Sequence, residues 1–206
     1  MMGESMRAAG PWVLPGEPDA IRLMNTIWAN RQGVHDALTE PDHLAAWLQA
    51  IGTFHEPPPA TDHDLGQARV LRDALRRLAA LCTDDTRPAA MSAMQDTTAA
   101  VVAVNEVAAG HAGPRLELAD GTLRLGSSPE GPPVSTALAD VAAQAITLFT
   151  DPAASPMRAC MAPGCVLYFV QDHPRREWCS TACGNRARAA RHYSRHRSST
   201  KDGPTS

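Results

Sequence analysis

Apolar positions recur every three or four residues along most of the first 150 positions, which predicts a mainly helical front part. In EPDAIRLMNTIWANRQ (17–32), Ile21, Met24 and Trp28 fall on one face with Leu23 and Ile27 beside it, the pattern of a half-buried helix. TEPDHLAAWLQAIG (39–52) predicts a second, with Pro41 in the first turn and Gly52 at the end. A third runs through TDHDLGQARVLRDALRRLAALC (61–82), opened by a Thr61/Asp64 capping pair and striped by Leu71, Leu75, Leu78 and Cys82. PAAMSAMQDTTAAVVAVNEVAAG (88–110) predicts a fourth, ending at Gly110, and VSTALADVAAQAITLF (134–149) a last one. Between these two, RLELADGTLRLG (115–126) alternates apolar and polar residues around Asp120-Gly121, a hairpin signal. The front part is thus read as mainly α with a small β-hairpin, an α+β arrangement.

Composition adds a division of the chain. Residues 1–157 carry 10 basic and 19 acidic side chains, a net −9, whereas residues 158–206 carry 9 and 3, a net +6. The break coincides with DPAASPM (151–157), which reads as a linker. A basic tail behind an acidic body suggests contact with a polyanion. No apolar run resembles an export signal and no window approaches 18 uncharged apolar residues, so a soluble, cytoplasmic protein without membrane association is expected. The organisation read from these signals is a flexible N-terminus (1–16), a helical domain (17–152), a linker (153–157), a small module (158–197) and a disordered tail (198–206).

Four of the five cysteines lie within that module. Four residues separate Cys160 from Cys165, three separate Cys179 from Cys183, and 13 lie between the pairs. Two short loops can each present two thiolates about 3.5–4 Å apart, and the spacer is long enough to fold one pair onto the other. In a reducing compartment such a set suits a metal better than disulfides. Four thiolates without a carboxylate pair favour one Zn2+ per chain over an iron–sulfur cluster. Because protein fills every position, the metal is structural. CVLYFVQD (165–172) reads as the first strand of a hairpin, HPRRE as its turn and EWC as the return. Ser180 is the expected N-cap of the helix that follows, and Cys183 would project from its first turn. Arg158, Arg175, Arg176 and Arg186 are candidates to offset the charge of the thiolates.

The run Trp178-Cys179-Ser180-x-x-Cys183-Gly184-Asn185-Arg186 behind a C-x4-C knuckle resembles the CGNR zinc finger. LMNTIWANRQGVHDALTEPDHLAAWL (23–48) is similar to the start of the ABATE domain that precedes this finger, in proteins described as stress-induced transcription regulators of bacteria. The resemblance spans roughly residues 17–197. It implies a treble-clef-like zinc finger built from a hairpin and a basic helix, and DNA binding. The lysine usual in the family two residues after its arginine is Arg188 here, which keeps the charge but not the same contact geometry.

On its own chemistry the last helix points the same way. Residues 186–197 hold five arginines, two histidines and one tyrosine with no acid. Arg188, Arg191 and Arg195 share one face; Arg186, Tyr193 and Arg197 share another. Such a helix fits against phosphates, with Arg188 and Arg191 as candidate base-edge contacts. Sequence alone does not separate duplex DNA from RNA. Two function classes follow: a regulator whose front domain senses a small-molecule effector or forms a homodimer, and a zinc-dependent adaptor that docks an acidic protein surface. No nucleophile–base motif, phosphate-cradling loop or open metal site points to an enzyme. Cys82 is expected to be buried along its leucine stripe, Trp178 to pack over the metal centre, and the scattered His35, His43, His55, His63 and His111 to ligate nothing. Asn25, sharing a face with Ile21 and Trp28, is either a satisfied buried amide or, with Trp28, the polar handle of a ligand pocket.

Overall fold

The computed structural model describes residues 14–111, 115–119, 121–126, 132–153 and 156–201. Its α+β architecture follows the order α1 (Asp19–Met24), β1 (Ile27–Asn30), β2 (Gly33–Asp36), α2 (Pro41–Ala50), α3 (Asp62–Cys82), a 3-10 turn (Pro88–Ala90), α4 (Thr97–Ala108), β3 (Arg115–Ala119), β4 (Thr122–Gly126), α5 (Pro133–Thr150), β5 (Met157–Ala159), β6 (Tyr168–Val170) and α6 (Thr181–Lys201). Each pair of consecutive strands forms a separate antiparallel two-stranded sheet.

Helix α3 is the axis of the body. Thr61 accepts from the Asp64 N–H while the Asp64 carboxylate accepts from the Thr61 N–H, so two orphan donors are satisfied at its start. Its Leu65, Ala68, Leu71 and Leu75 join Ile21, Leu23, Leu44, Trp47 and Leu48 from the preceding helices and Val104, Leu138 and Val141 from the following ones in one core. Tyr168 of β6 belongs to the same core, although it lies beyond the expected linker.

Several expectations are corrected. The helix expected over 17–32 stops at Met24: Asn25 caps it, the Thr26 hydroxyl donates to the Leu23 carbonyl at 2.8 Å, and the chain turns into the β1–β2 hairpin. Ile27 and Trp28 satisfy a strand face as well as a helix face, and Trp28 stacks on His35 across the pair at 4.6 Å between ring centroids. The fourth helix begins at Thr97 rather than Pro88, because Asp96 provides the cap by accepting from the Ala99 N–H at 2.9 Å. Cys82 is exposed at the last residue of α3. The hairpin at 115–126 forms in the expected register, Leu118 opposite Leu123, with Gly121 at φ +72° in the turn; Asp120 lies outside the described residues. Helix α6 runs to Lys201, four residues into the expected tail; the flexible N-terminus expected over 1–16 falls outside the described residues up to position 13, and the tail beyond 201 likewise. No helix among the described residues is long and apolar enough to cross a membrane.

Candidate metal centre

Strand β6 pairs with residues before the first cysteine, not with EWC as expected: Met157 faces Val170, Arg158 faces Phe169 and Ala159 faces Tyr168. The hairpin therefore ends in the knuckle itself. Cys160 continues the ladder by donating its N–H to the Leu167 carbonyl at 2.9 Å, and the chain turns between them through Gly164 at φ +71°, a backbone that suits glycine. Cys165 donates its N–H to the Ala162 carbonyl within that turn. The second pair comes from the start of α6. Ser180 stands before the helix as expected and accepts the Cys183 N–H at 3.3 Å, which fixes Cys183 in the first turn.

The four sulfurs lie within 4.8 Å of one another, all from buried residues, with Cys179 Sγ 3.4 Å from Cys183 Sγ and 3.8 Å from Cys165 Sγ. At these separations the four thiols hydrogen-bond one another, and each shifts its neighbours. Bonding from Cys165 lowers Cys160 to about 7 and bonding from Cys160 lowers Cys183, while bonding with Cys160 raises Cys165 and Cys179. The Cys179 N–H points at Cys160 Sγ (3.5 Å) and the Arg186 guanidinium at Cys183 Sγ (3.0 Å), donors that stabilise thiolates. Of the four arginines expected to offset the charge, Arg186 alone reaches a sulfur among the described contacts: Arg158 bonds Gln171 and Arg176 bonds Glu17.

Around this centre stands a layer that the sequence reading missed. One guanidinium, that of Arg87, donates to the carbonyls of both Cys160 (2.6 Å) and Cys165 (2.5 Å). Asp85 grips the same guanidinium through both oxygens at 2.7 Å and accepts from the Tyr168 hydroxyl at 3.1 Å. Burial alone would raise the Asp85 carboxyl, yet the Arg87 hydrogen bonds outweigh it and hold the group below the usual range. Burial pushes the Tyr168 hydroxyl up to about 12. Arg76, 1% exposed, donates to the carbonyls of Val166, Ala90 and Met24. The outer edge of β6 is completed by side chains in place of a strand: Asn25 donates to the Tyr168 carbonyl and accepts its N–H, each at 2.9 Å, and Glu17 accepts the Val170 N–H at 2.8 Å. Of the two roles expected for Asn25, these bonds are those of a satisfied buried amide, with its oxygen and its amide both engaged by Tyr168.

Two family models match the chain. Residues 17–152 match ABATE, described as a putative stress-induced transcription regulator, and residues 157–196 match the CGNR zinc finger. The chain belongs to the ABATE family. No curated protein matches it. Four soft sulfur donors with no carboxylate among them fit one structural Zn2+, as the CGNR finger implies. The motif that names the finger has a physical content here. Cys183 is the sulfur; a Cβ at Gly184 would lie 3.1 Å from Trp178 Cδ1; Asn185 accepts from Arg188 at 2.6 Å; Arg186 reaches Cys183 Sγ. Trp178, as expected, packs against the cysteine cluster.

Beyond Ala187 the helix leaves the body. Residues 188–194 are exposed on every face, Tyr193 at 70%. Arg191 lies over the Trp178 ring, 5.6 Å from its centroid, with Glu177 at 3.8 Å. The side chains of Arg195 and Arg197 lie outside the described residues.

Proposed function

We propose that this ABATE protein is a zinc-dependent transcription regulator, with Cys160, Cys165, Cys179 and Cys183 as the ligands of its zinc and α6 as its contact to duplex DNA. The observation that carries the reading is the exposed helix itself: Arg188 and Arg191 project from a stem pinned by the metal centre, with no acid on the helix from Thr181 to Lys201. An all-round polar helix free of compensating acids is poorly explained as a solvated face and well suited to phosphates. Arg195 and Arg197 extend the same basic run. The front domain supplies dimerisation, so that two helices meet half-sites related by a two-fold axis, and a cleft of about 480 Å3 between α3 and α4, lined by His63, Gln67, Val70 and Glu106, is its place for a small effector. The setting is the bacterial cytoplasm and a stress response.

Fluorescence anisotropy of the zinc-loaded chain on duplex DNA over a range of salt tests this. Affinity that falls steeply with salt, and a preference for inverted repeats over single half-sites, are the expected results. Binding that is absent or insensitive to salt, together with capture of an acidic protein by the same helix, would replace it with the adaptor reading.

A further inference from the structure

A groove of about 410 Å3 runs between the loop 175–181 and the first two turns of α6. Arg175, Arg176, Glu177, Trp178, Thr181 and Arg188 are among the side chains that line it, with Gly184 at its wall. Two of these charges are already engaged: Arg176 pairs with Glu17 at 2.5 Å, and Glu177 faces Arg191 at 3.8 Å. Arg175 is exposed, and among the described residues its guanidinium has no hydrogen bond or ion pair. Arg188 spends one Nη on Asn185 and keeps its other donors. The groove is open because residue 184 lacks a side chain: a Cβ there would stand 3.1 Å from the Trp178 ring and 3.5 Å from an Arg188 Nη. Arg186 is turned the other way, onto Cys183 Sγ, where it reduces the negative field that the thiolates would present to an approaching anion.

We propose that this groove seats one phosphate of a nucleic-acid backbone between Arg175 and Arg188, with the Thr181 hydroxyl as a further donor, and that Arg186 takes no part in nucleic-acid contact. The inference rests on the DNA-binding reading and changes its membership: an arginine of the zinc loop joins the interface and one of α6 leaves it. Two guanidiniums from different segments can bracket a tetrahedral anion in a way that one helix face cannot, and they fix the register of the helix along the backbone.

The test is the salt dependence of duplex binding by the full zinc-loaded chain. Each neutralised phosphate contributes about 0.9 to the slope of log affinity against log salt. Arg175→Gln and Arg188→Gln should each flatten the slope by about one contact, weaken all sequences alike and leave zinc content unchanged. Arg186→Gln should keep the wild-type slope and surrender zinc faster to a chelator. The seat is overturned if wild type binds steeply but Arg175→Gln and Arg188→Gln keep its slope, or if Arg186→Gln flattens it with zinc retention intact. If wild type shows no salt-dependent binding, the DNA-binding reading falls and the seat with it. Inorganic phosphate alone distinguishes a free-anion site: saturable shifts of the Trp178 indole and Arg175 side-chain resonances without any duplex binding would assign the groove to a soluble phosphate and overturn the backbone assignment.

Discussion

Arg87 holds the carbonyls of two zinc ligands and is itself held by a carboxylate with no exposed surface. Truncation to alanine would strip both carbonyls of a charged donor and leave the buried Asp85 carboxylate with the Tyr168 hydroxyl and a main-chain N–H but no opposite charge. Losing one member of a buried pair costs about 3–5 kcal/mol, and partners outside the ligand set are worth about 10–100-fold in metal affinity. We expect Arg87→Ala to show both losses, by urea unfolding and by chelator competition, with Arg87→Lys recovering only part because one ammonium cannot reproduce the planar fork. Cys179→Ser should abolish zinc binding; full metal occupancy in that variant would reassign the centre. The four cysteines were legible from spacing alone. Arg76 and Arg87 were not, because their acceptors are main-chain carbonyls, and a carbonyl leaves no mark in the sequence. Asn25 was visible as a polar residue on an apolar face, but its partner lies 143 positions away.

At the scale of elements, pattern failed where two periods fit the same residues. Ile21, Met24 and Trp28 suit one helix, yet the third of them is a strand residue whose ring meets His35. The stop signal was Asn25, decided by tertiary contact to β6. Strand β6 was assigned the wrong neighbour for a related reason: Met157, counted with the linker, is its actual partner. Helix α6 shows propensity yielding to packing. Gly184→Ala would gain up to about 1 kcal/mol on propensity, but the new Cβ presses on Trp178 at 3.1 Å. We expect net destabilisation and faster zinc release, measured by thermal unfolding and chelation; a stabilised variant would show that Trp178 yields freely. Glu17 joins the segment before α1 to β6, and burial raises its carboxyl against the lowering influence of the Val170 N–H and Arg176. An acid raised on folding contributes stability below its unfolded value, about 4.3, and loses it as pH climbs through the folded value. The stability of Glu17→Gln relative to wild type should therefore increase with pH across that window, as read from urea midpoints; a difference that decreases would reverse the assigned shift.

For the whole molecule, the division into an acidic body and a basic tail was legible in charge, but the bonds that fasten the two parts together were not. Tyr168 sits in the body's core, and Asn25, Glu17, Arg76 and Arg87 all bond the finger's main chain. Removing zinc should accordingly loosen more than the module. Hydrogen exchange is expected to rise in 158–187 and also in α1 and the segment 85–90, while the α3–α5 packing farther from the finger stays protected; a change confined to 158–187 would restore the picture of a tethered bead.

The fastening of body to finger also sets an order of events during synthesis. Of the three carbonyls that accept from Arg76, that of Val166 lies 90 positions downstream, and Arg87 waits for the carbonyls of Cys160 and Cys165. While the ribosome still holds that stretch, the emerged body has a half-satisfied guanidinium in its interior and an Asn25 amide facing nothing. The parts of such a body that face the finger are expected to stay open to proteases until the last quarter of the chain has emerged and taken up its metal. A zinc-starved cell is then expected to degrade the protein faster than a zinc-replete one.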